Sequence, residues 1–166
     1  MITMRSEVRV QGISGDEFLT FMLNCTDADY QEWWPEMHLA FHTLERYPAQ
    51  IGNIVYFDEY VGKTRLKFKG VVTDYVPSHR LVWQMIKGVR LPAWLKIECQ
   101  PEGENLHIFH TLTAGFEGLG AFFDSLLRLY LSETFYQELD AHAQTEFPLL
   151  ADLLIQRKAR AHTPSV

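Results

Sequence analysis

The sequence predicts an α+β fold in which a curved antiparallel sheet wraps around one long C-terminal helix. Three observations predict it. Apolar and polar residues alternate near the start, they alternate again in successive short runs from residue 38 to about residue 114, and a helical period holds from about residue 121 to residue 157. Short turns separate the runs, which favours antiparallel pairing. The predicted order is one strand, two short helices, six strands and the long helix.

The first part of the chain is predicted to form the lone strand and the two short helices. Residues 4–12 alternate between valine on one face and charged side chains on the other, which is typical of a half-buried strand. Ser14 is a typical N-cap for the first helix. Either Thr26 or Asp27 opens the second helix, which is expected to end near Pro35.

Turn residues then divide the strands from one another. The first predicted hairpin closes between Arg46 and Asn53, and further turns are expected at residues 62–63, 77–79 and 101–105. The last of these, PEGEN, has the strongest turn composition in the chain. The six strands therefore follow one another as a meander.

Length and charge limit the classes of protein that need to be considered. The chain has 166 residues and a formal net charge of −6. We expect residues 1–158 to form a single domain and residues 159–166 to be a loose tail. No contiguous block of lysine and arginine marks a nucleic-acid surface. No apolar stretch reaches the roughly 18 residues of a membrane span, and no signal-peptide pattern is present, so a cytoplasmic protein is expected.

The two cysteines give no sign of a disulfide or of a metal cluster. Cys25 and Cys99 are far apart in the sequence and neither has a nearby second cysteine or a Cys/His pattern. We expect both to be reduced and buried as small apolar residues.

Two ionisable residues interrupt an apolar stripe on the long helix. The stripe follows steps of three and four residues and consists of Phe135, Leu139, His142, Glu146, Leu149, Leu150 and Leu153. If this stripe faces the sheet, leaving His142 and Glu146 unpaired costs several kcal/mol. Two solutions exist: the two residues satisfy each other or a water, as neighbours four apart on a helix can, or they bind a metal together with other ligands.

The first predicted hairpin supplies candidates for the other ligands. Alternation places His38, Ala40 and His42 on one strand face, and it places Glu59 on a face of the next strand. With the expected loop, Ala40 lies opposite Glu59, and Glu59 is then diagonal to both histidines. A slip of one residue would replace Glu59 by Asp58 and turn the whole set outward.

The four side chains that would converge suit a particular group of metals. His38 or His42, together with Glu59, His142 and Glu146, would supply two nitrogen and two oxygen ligands. Such a set suits zinc, with manganese or ferrous iron as substitutes.

Other histidines are candidates for acid–base chemistry. His42 is either a catalytic residue, a partner of His38, or a strand histidine satisfied by a neighbour. His107 and His110 differ in parity and so face opposite sides of their strand. His110, flanked on its own face by apolar residues, is the inward candidate for catalysis, or it simply bonds a neighbour. The four tryptophans line a ligand pocket or belong to the core.

Three stretches carry a resemblance to a known group of enzymes. YQEWWPEMH (30–38) is similar to the stretch that holds a zinc-ligand histidine in the diacetylphloroglucinol and phloretin hydrolases, which cleave carbon–carbon bonds. FDEYVG (57–62) is similar to the segment with their glutamate ligand, and HAQTEFPLL (142–150) is similar to their C-terminal HxxxE. The resemblance implies His38, Glu59, His142 and Glu146 as metal ligands.

The order of elements resembles the helix-grip fold of the START-like superfamily, also called the SRPBCC or polyketide cyclase/lipid-transfer group, over nearly the whole chain. Together the two resemblances imply a metal-dependent hydrolase of a ketone or acyl-aromatic substrate. His42 and His110 are our candidates for the acid that protonates the leaving carbon. The alternatives are a metal-free carrier of a small hydrophobic or aromatic ligand and a polyketide aromatase/cyclase. A second copy of the chain is an expected partner if pairing closes the cavity.

Overall fold

A computed structural model describes residues 1–116 and 131–161. Its strands are β1 (Ile2–Gln11), β2 (His38–Glu45), β3 (Ile54–Val61), β4 (Thr64–Val76), β5 (Arg80–Lys87), β6 (Val89–Glu102) and β7 (Asn105–Ala114). Its helices are α1 (Gly15–Asn24), α2 (Asp27–Trp33) and α3 (Glu133–Ala161). The predicted fold class and the predicted order of elements are confirmed.

The seven strands form one antiparallel sheet in the order β1-β7-β6-β5-β4-β3-β2. The order follows from a meander, β2 to β7, to which β1 is added beside the last strand. Helix α3 packs along β1, where Tyr136 Oη donates to the carbonyl of Arg5 and Gln144 Nε2 donates to the carbonyl of Glu7, both at 3.0 Å. Side chains of the helix therefore satisfy backbone acceptors at this edge of the sheet.

The two short helices begin at capping boxes. The Ser14 hydroxyl accepts from the backbone N–H of Glu17, whose carboxylate accepts from the N–H of Ser14. Thr26 and Asp29 repeat the arrangement at α2, so Thr26 rather than Asp27 is the N-cap. These caps fix where each helix starts and therefore which side chains of α2 face the sheet.

The long helix starts later than the sequence predicts. Leu131 and Ser132 are not helical, and the Ser132 hydroxyl accepts from the backbone N–H of Phe135 at 3.2 Å, as an N-cap does. The prediction of a single helix from about residue 121 is therefore wrong at residues 131–132, where Ser132 caps the helix that follows it. Residues 121–130 lie outside the described part of the chain. The helix continues to Ala161, into the predicted tail, of which residues 162–166 are also outside the described part.

The main core lies between the inner face of the sheet and the three helices. Its largest side chains with less than 2% exposure include Phe18, Phe41, Trp83, Phe147, Ile97 and Leu150. Phe57 stacks between Phe41 and Phe68 with centroid distances of 4.7 Å on both sides. Cys25 and Cys99 are free and buried, as predicted. Within the ranges described, no helix is long and apolar enough to cross a bilayer.

Candidate metal centre

Four side chains from two strands and one helix meet inside the fold. His38 begins β2, Glu59 lies on β3, and His142 and Glu146 lie one turn apart on α3. Each offers a ligand atom, and these atoms all lie within 4.8 Å of one another. Their side chains are between 0% and 12% exposed. The structure thus brings together the four residues named as ligands from the sequence.

A β-bulge, not regular alternation, turns His38 inward. Phe41 pairs with Phe57 and Ala40 with Asp58, but His38 pairs with Glu59, so Leu39 is an extra residue in β2. The predicted register, with Ala40 opposite Glu59, is therefore wrong by one residue. Without the bulge, His38 would lie on the outer face with Ala40 and Asp58.

The same bulge separates His38 from His42. The prediction that these two histidines share a face is wrong, because the extra residue Leu39 shifts the alternation of faces between them. The His42 side chain is 37% exposed, and its Nδ1 lies 2.7 Å from a carboxylate oxygen of Asp27. His42 is thus placed on the outer side of the sheet with a partner of its own, away from the four ligand residues.

Helix α3 presents His142 and Glu146 from its buried stripe. The residues around them on this face, Leu139, Ala143, Phe147 and Leu150, are buried. Trp33 Nε1 donates to the backbone carbonyl of Glu146 at 2.6 Å, which ties α2 to α3 next to the site. The Trp34 ring lies 4.7 Å from the His142 ring. Of the four tryptophans, Trp33 and Trp34 therefore surround the cluster.

His38 is held in one orientation. Its ring stacks on Tyr30 with a centroid distance of 3.8 Å, and its Nδ1 lies 3.2 Å from the backbone carbonyl of Tyr30. A carbonyl only accepts, so Nδ1 carries the proton and Nε2 keeps its lone pair. Burial lowers the pKa of His38 to about 4, which keeps the ring neutral at pH 7. Glu146 Oε1 lies 3.4 Å from this Nε2, which has no hydrogen-bond partner among the described residues.

His142 has no hydrogen-bond partner at either ring nitrogen in the described part of the molecule. Its Nε2 lies 3.6 Å from Glu146 Oε2 and 3.8 Å from Glu59 Oε2. Both distances exceed those of hydrogen bonds to nitrogen. The alternative in which His142 and Glu146 simply satisfy each other is therefore not the geometry observed. Burial lowers the pKa of His142, so this ring also favours its neutral form.

The two carboxyl groups are electrostatically strained without a cation. Burial raises the pKa of Glu59, and the nearby Glu146 raises it further. Burial likewise raises the pKa of Glu146. Removing two carboxylates from water while holding them close together disfavours charge on both. A divalent cation between them would reverse this balance, because it neutralises both charges at once.

Tyr30 contacts the cluster and is a candidate functional residue that the sequence analysis did not identify. Its hydroxyl donates to Glu59 Oε2 at 2.5 Å. Burial raises the pKa of Tyr30 well above its usual value, so the hydroxyl stays a donor. The sequence feature that could have identified Tyr30 is its position three residues before Trp33 on α2, which puts both rings on the buried face.

The residues present fit a metal ion such as zinc. Ligands that surround one zinc ion tetrahedrally, each about 2.0–2.2 Å from it, lie roughly 3.3–3.6 Å from one another. The separations of 3.4, 3.6 and 3.8 Å between histidine nitrogens and carboxylate oxygens lie within or slightly above this range, with the first two measured to different oxygens of Glu146, and the four ligand atoms all lie within 4.8 Å of one another. Two neutral imidazoles and two carboxylates also balance a double positive charge. The unpartnered Nε2 atoms of both histidines are the ligand atoms such an ion requires.

A small cavity adjoins the cluster. Its volume is about 30 Å³, room for about two water-sized groups. Tyr30, Glu59, His142 and Glu146 contribute its polar lining. The apolar lining includes Phe41, Phe57, Val61, Leu95, Ile97 and Phe147. The site therefore combines one polar wall with a mostly apolar chamber.

His110 lines this cavity and His107 does not, as their parity predicts. The His110 ring lies 5.7 Å from the Phe147 ring, and its Nδ1 has no hydrogen-bond partner among the residues described. Burial lowers the pKa of His110 to about 4, and the nearby His142 lowers it further. His107 lies on the opposite face, with Nε2 3.5 Å from a carboxylate oxygen of Glu7.

Comparison with known proteins shows the fold. No family model matches the chain, and no curated protein matches it. Among solved structures it is similar to Ara h 8.0201, with a TM-score of 0.58 and 7% identity over 93% of this chain and 99% of that one. It is similar to TTHA0849 from Thermus thermophilus, with a TM-score of 0.58 and 14% identity over 98% and 100% of the two chains.

A START superfamily protein from Mycobacterium smegmatis is a third similar structure, with a TM-score of 0.50 and 18% identity over 84% of this chain and 95% of that one. The chain therefore has the START-like helix-grip fold. Identities this low relate folds rather than activities. None of the three names describes a hydrolase, so support for a metal-dependent activity comes from the site and from the three short motifs.

Proposed function

We propose that this protein is a metal-dependent hydrolase that cleaves a carbon–carbon bond beside the carbonyl of a ketone or acyl-aromatic substrate. One observation carries the proposal: two neutral histidine nitrogens without partners face two shielded carboxylates, with all ligand atoms within 4.8 Å. Unpaired polar groups of this kind are costly in a folded core. A bound cation would give these groups the partners that the protein itself does not supply.

His38, Glu59, His142 and Glu146 would hold the metal, with zinc favoured and manganese or ferrous iron as substitutes. A metal held by these four residues that also accepts a fifth ligand would polarise a substrate carbonyl as a Lewis acid and lower the pKa of water. The chain's own contribution is to hold the ligands in place. Tyr30 does so twice, through its hydroxyl to Glu59 and through its backbone carbonyl to His38.

His110 is the residue that we assign to proton transfer. Hydrolysis adds the hydroxyl of water to the acyl carbon and a proton to the carbon that leaves. A neutral histidine in the cavity wall can accept the proton that the attacking water gives up and can then deliver a proton to the leaving carbon. His110 is the histidine outside the ligand set that lines the described cavity, and its Nδ1 is unpartnered.

The apolar lining favours a substrate with an acyl chain or an aromatic ring. Pockets that hold such ligands usually measure about 300–1,000 Å³, whereas this cavity measures about 30 Å³. The substrate must therefore widen the chamber as it binds.

A second candidate function is metal-free binding of a small hydrophobic or aromatic ligand, or a cyclase activity on such a ligand. The shared fold with a START superfamily protein and the apolar chamber favour it. In this case the four ionisable residues would bind polar groups of the ligand, and no metal would be required.

Turnover distinguishes the two functions. Zinc-loaded and metal-stripped protein would be incubated with a series of acyl-phenols and β-diketones in ¹⁸O-labelled water. A hydrolase releases a labelled carboxylic acid only when loaded, and Glu59→Gln abolishes the release. Saturable ligand binding by the stripped protein, with no labelled product from the loaded protein, would instead establish the carrier.

A further inference from the structure

The outer face of the sheet carries an unusual concentration of positive charge for an acidic protein. Along β4, Leu66 and Phe68 face inward, so the alternating residues Arg65, Lys67 and Lys69 face outward. Arg65 and Lys67 lie opposite Tyr60 and Asp58 of β3, and Lys69 lies opposite Tyr56. The basic residues are spaced by two in the sequence, and therefore form a row on the sheet without forming a block in the chain.

Neighbouring strands extend the row. Lys69 lies opposite Ile86 on β5, and Ile86 lies opposite Arg90 on β6, so Arg90 shares the outer face. Lys87 pairs with Val89 at the β5–β6 turn and lines one surface pocket with Lys67 and Lys69, and Lys63 occupies the β3–β4 turn at the same end of the sheet. We name Lys63, Arg65, Lys67, Lys69, Lys87 and Arg90 the basic end.

Most of these charges are not neutralised by the protein itself. Asp58 holds Arg65 at 2.8 Å and lies 3.8 Å from Lys67. The other four basic residues form no ion pair within residues 1–116 and 131–161. Four unpaired cations in a chain with a net charge of −6 leave an asymmetric charge distribution.

Exposed apolar side chains lie at the same end. Val89 is 67% exposed, the highest value among the exposed large apolar residues of the described chain, and it stands between Lys87 and Arg90. Met1 and Phe116 are 55% and 37% exposed. Met1 precedes Ile2, and Phe116 follows Ala114 by two residues. Ile2 and Ala114 pair with each other at the end of the sheet where β5 turns into β6.

We propose that the basic end docks this protein onto the surface of an anionic lipid bilayer. Lysine and arginine attract acidic headgroups, while projecting apolar residues enter the headgroup layer beneath them. Charges farther away than the Debye length of about 8 Å are screened at physiological salt, so the local patch outweighs the net charge. Nucleic acid also attracts such a patch, and the rings of Tyr56 and Tyr60 lie on the same face, but the most exposed apolar residue there, Val89, is aliphatic and suits the headgroup layer rather than base stacking.

Charge reversal with a matched control tests the docking surface. Lys69→Glu/Lys87→Glu alters two unpaired members of the basic end. Arg46→Glu/Arg160→Glu makes the same change in net charge at exposed positions elsewhere, in the β2–β3 loop and near the end of α3. Binding would be measured by co-sedimentation with vesicles of phosphatidylcholine alone and of phosphatidylcholine with about one third phosphatidylglycerol.

Wild type and the control variant are expected to bind the anionic vesicles, and the test variant to bind at least about tenfold more weakly. Raising the salt concentration is expected to weaken wild-type binding. Val89→Asp is expected to bind more weakly than wild type at the same salt concentration. Both measurements remain informative if the double variant does not fold. Equal binding to both vesicle types, or equal losses in both double variants, would overturn the proposal. So would charge-dependent binding of a single-stranded oligonucleotide without binding to vesicles.

Discussion

His38 lies directly opposite Glu59 on the inner face of the sheet because β2 contains one extra residue, Leu39. Regular pairing would have turned His38 to the outer face, where Ala40 and Asp58 lie. The bulge costs local strand pairing and places a histidine within reach of three other ligand residues. A site that requires irregular backbone in order to form is typical of functional rather than purely structural side chains.

Removing the Tyr30 hydroxyl is expected to weaken metal binding. In Tyr30→Phe, Glu59 loses the donor at 2.5 Å that orients it, while the stacked ring remains. Loss of such a supporting partner lowers metal affinity by about 10–100-fold. Competition with a chelating dye would measure the affinity. Tyr56→Phe is the matched control, because it removes a hydroxyl bonded to Asp58 on the outer face; an equal loss in both variants would contradict the role of Tyr30.

Removal of the metal is expected to destabilise the protein. A ligand present at about a thousandfold excess over its dissociation constant stabilises the native state by about 4 kcal/mol. Thermal unfolding of zinc-loaded protein, with and without a chelator, measures the effect. Glu146→Gln should unfold at the same temperature in both conditions, since it lacks one ligand. A wild-type unfolding temperature that the chelator leaves unchanged would argue against the site.

The pH dependence of stability is expected to report on His110 together with His38 and His142, because burial lowers the pKa of all three histidines. Burial lowers the pKa of His110 to about 4 from an ordinary value of 6.5, so the unfolded chain takes up its proton first as the pH falls. The stability that neutral His110 contributes is present above pH 6.5 and is lost between pH 6.5 and about 4, by up to about 3 kcal/mol.

His110→Leu should flatten this part of the profile, whereas His79→Asn, at an exposed turn, should not. Urea unfolding at a series of pH values provides the measurement. A variant with the wild-type slope would show that His110 is not among the residues that titrate.

His42 is expected to be dispensable for the metal and for turnover. Its partner is Asp27, and both side chains are more than one third exposed. His42→Ala should keep metal content and catalytic rate within about twofold and lower stability by no more than about 1 kcal/mol. His110→Ala should lose turnover while keeping its metal. A large loss of rate in His42→Ala would return that residue to the catalytic set.

Much of the fold and three of the four candidate ligands were predictable because they depend on short-range periodicity, whereas the choice of His38 over His42 rested on the resemblance of residues 30–38 to a known motif. Glu59 shares its face with Phe57 and Val61, and His142 and Glu146 lie one turn apart, whatever the rest of the chain does. The bulge after His38 was not predictable, because nothing local distinguishes Leu39 from its neighbours. Its cause is tertiary: it lets His38 meet Glu59 while Phe41 still packs on Phe57.

The start of α3 illustrates the same limit. The helical pattern around Leu131 and Ser132 is unbroken in the sequence, but Ser132 acts as a cap once the helix docks against the sheet. The role of Tyr30 was likewise hidden, since a tyrosine on a buried helix face is most often ordinary core. The distance of 2.5 Å between the Tyr30 hydroxyl and Glu59 Oε2 indicates a role at the candidate metal site rather than in core packing alone.

Metal content is the most direct test of the central claim. Protein purified without a histidine tag would be analysed by plasma mass spectrometry as wild type, as Glu146→Gln, and as Asp152→Asn, an acid-to-amide control at an exposed position on the same helix. We expect close to one zinc, manganese or iron per chain in wild type and control, and almost none in Glu146→Gln. Metal-free wild-type protein that takes up none of the three ions from solution would contradict this expectation and leave the metal-free ligand-binding function.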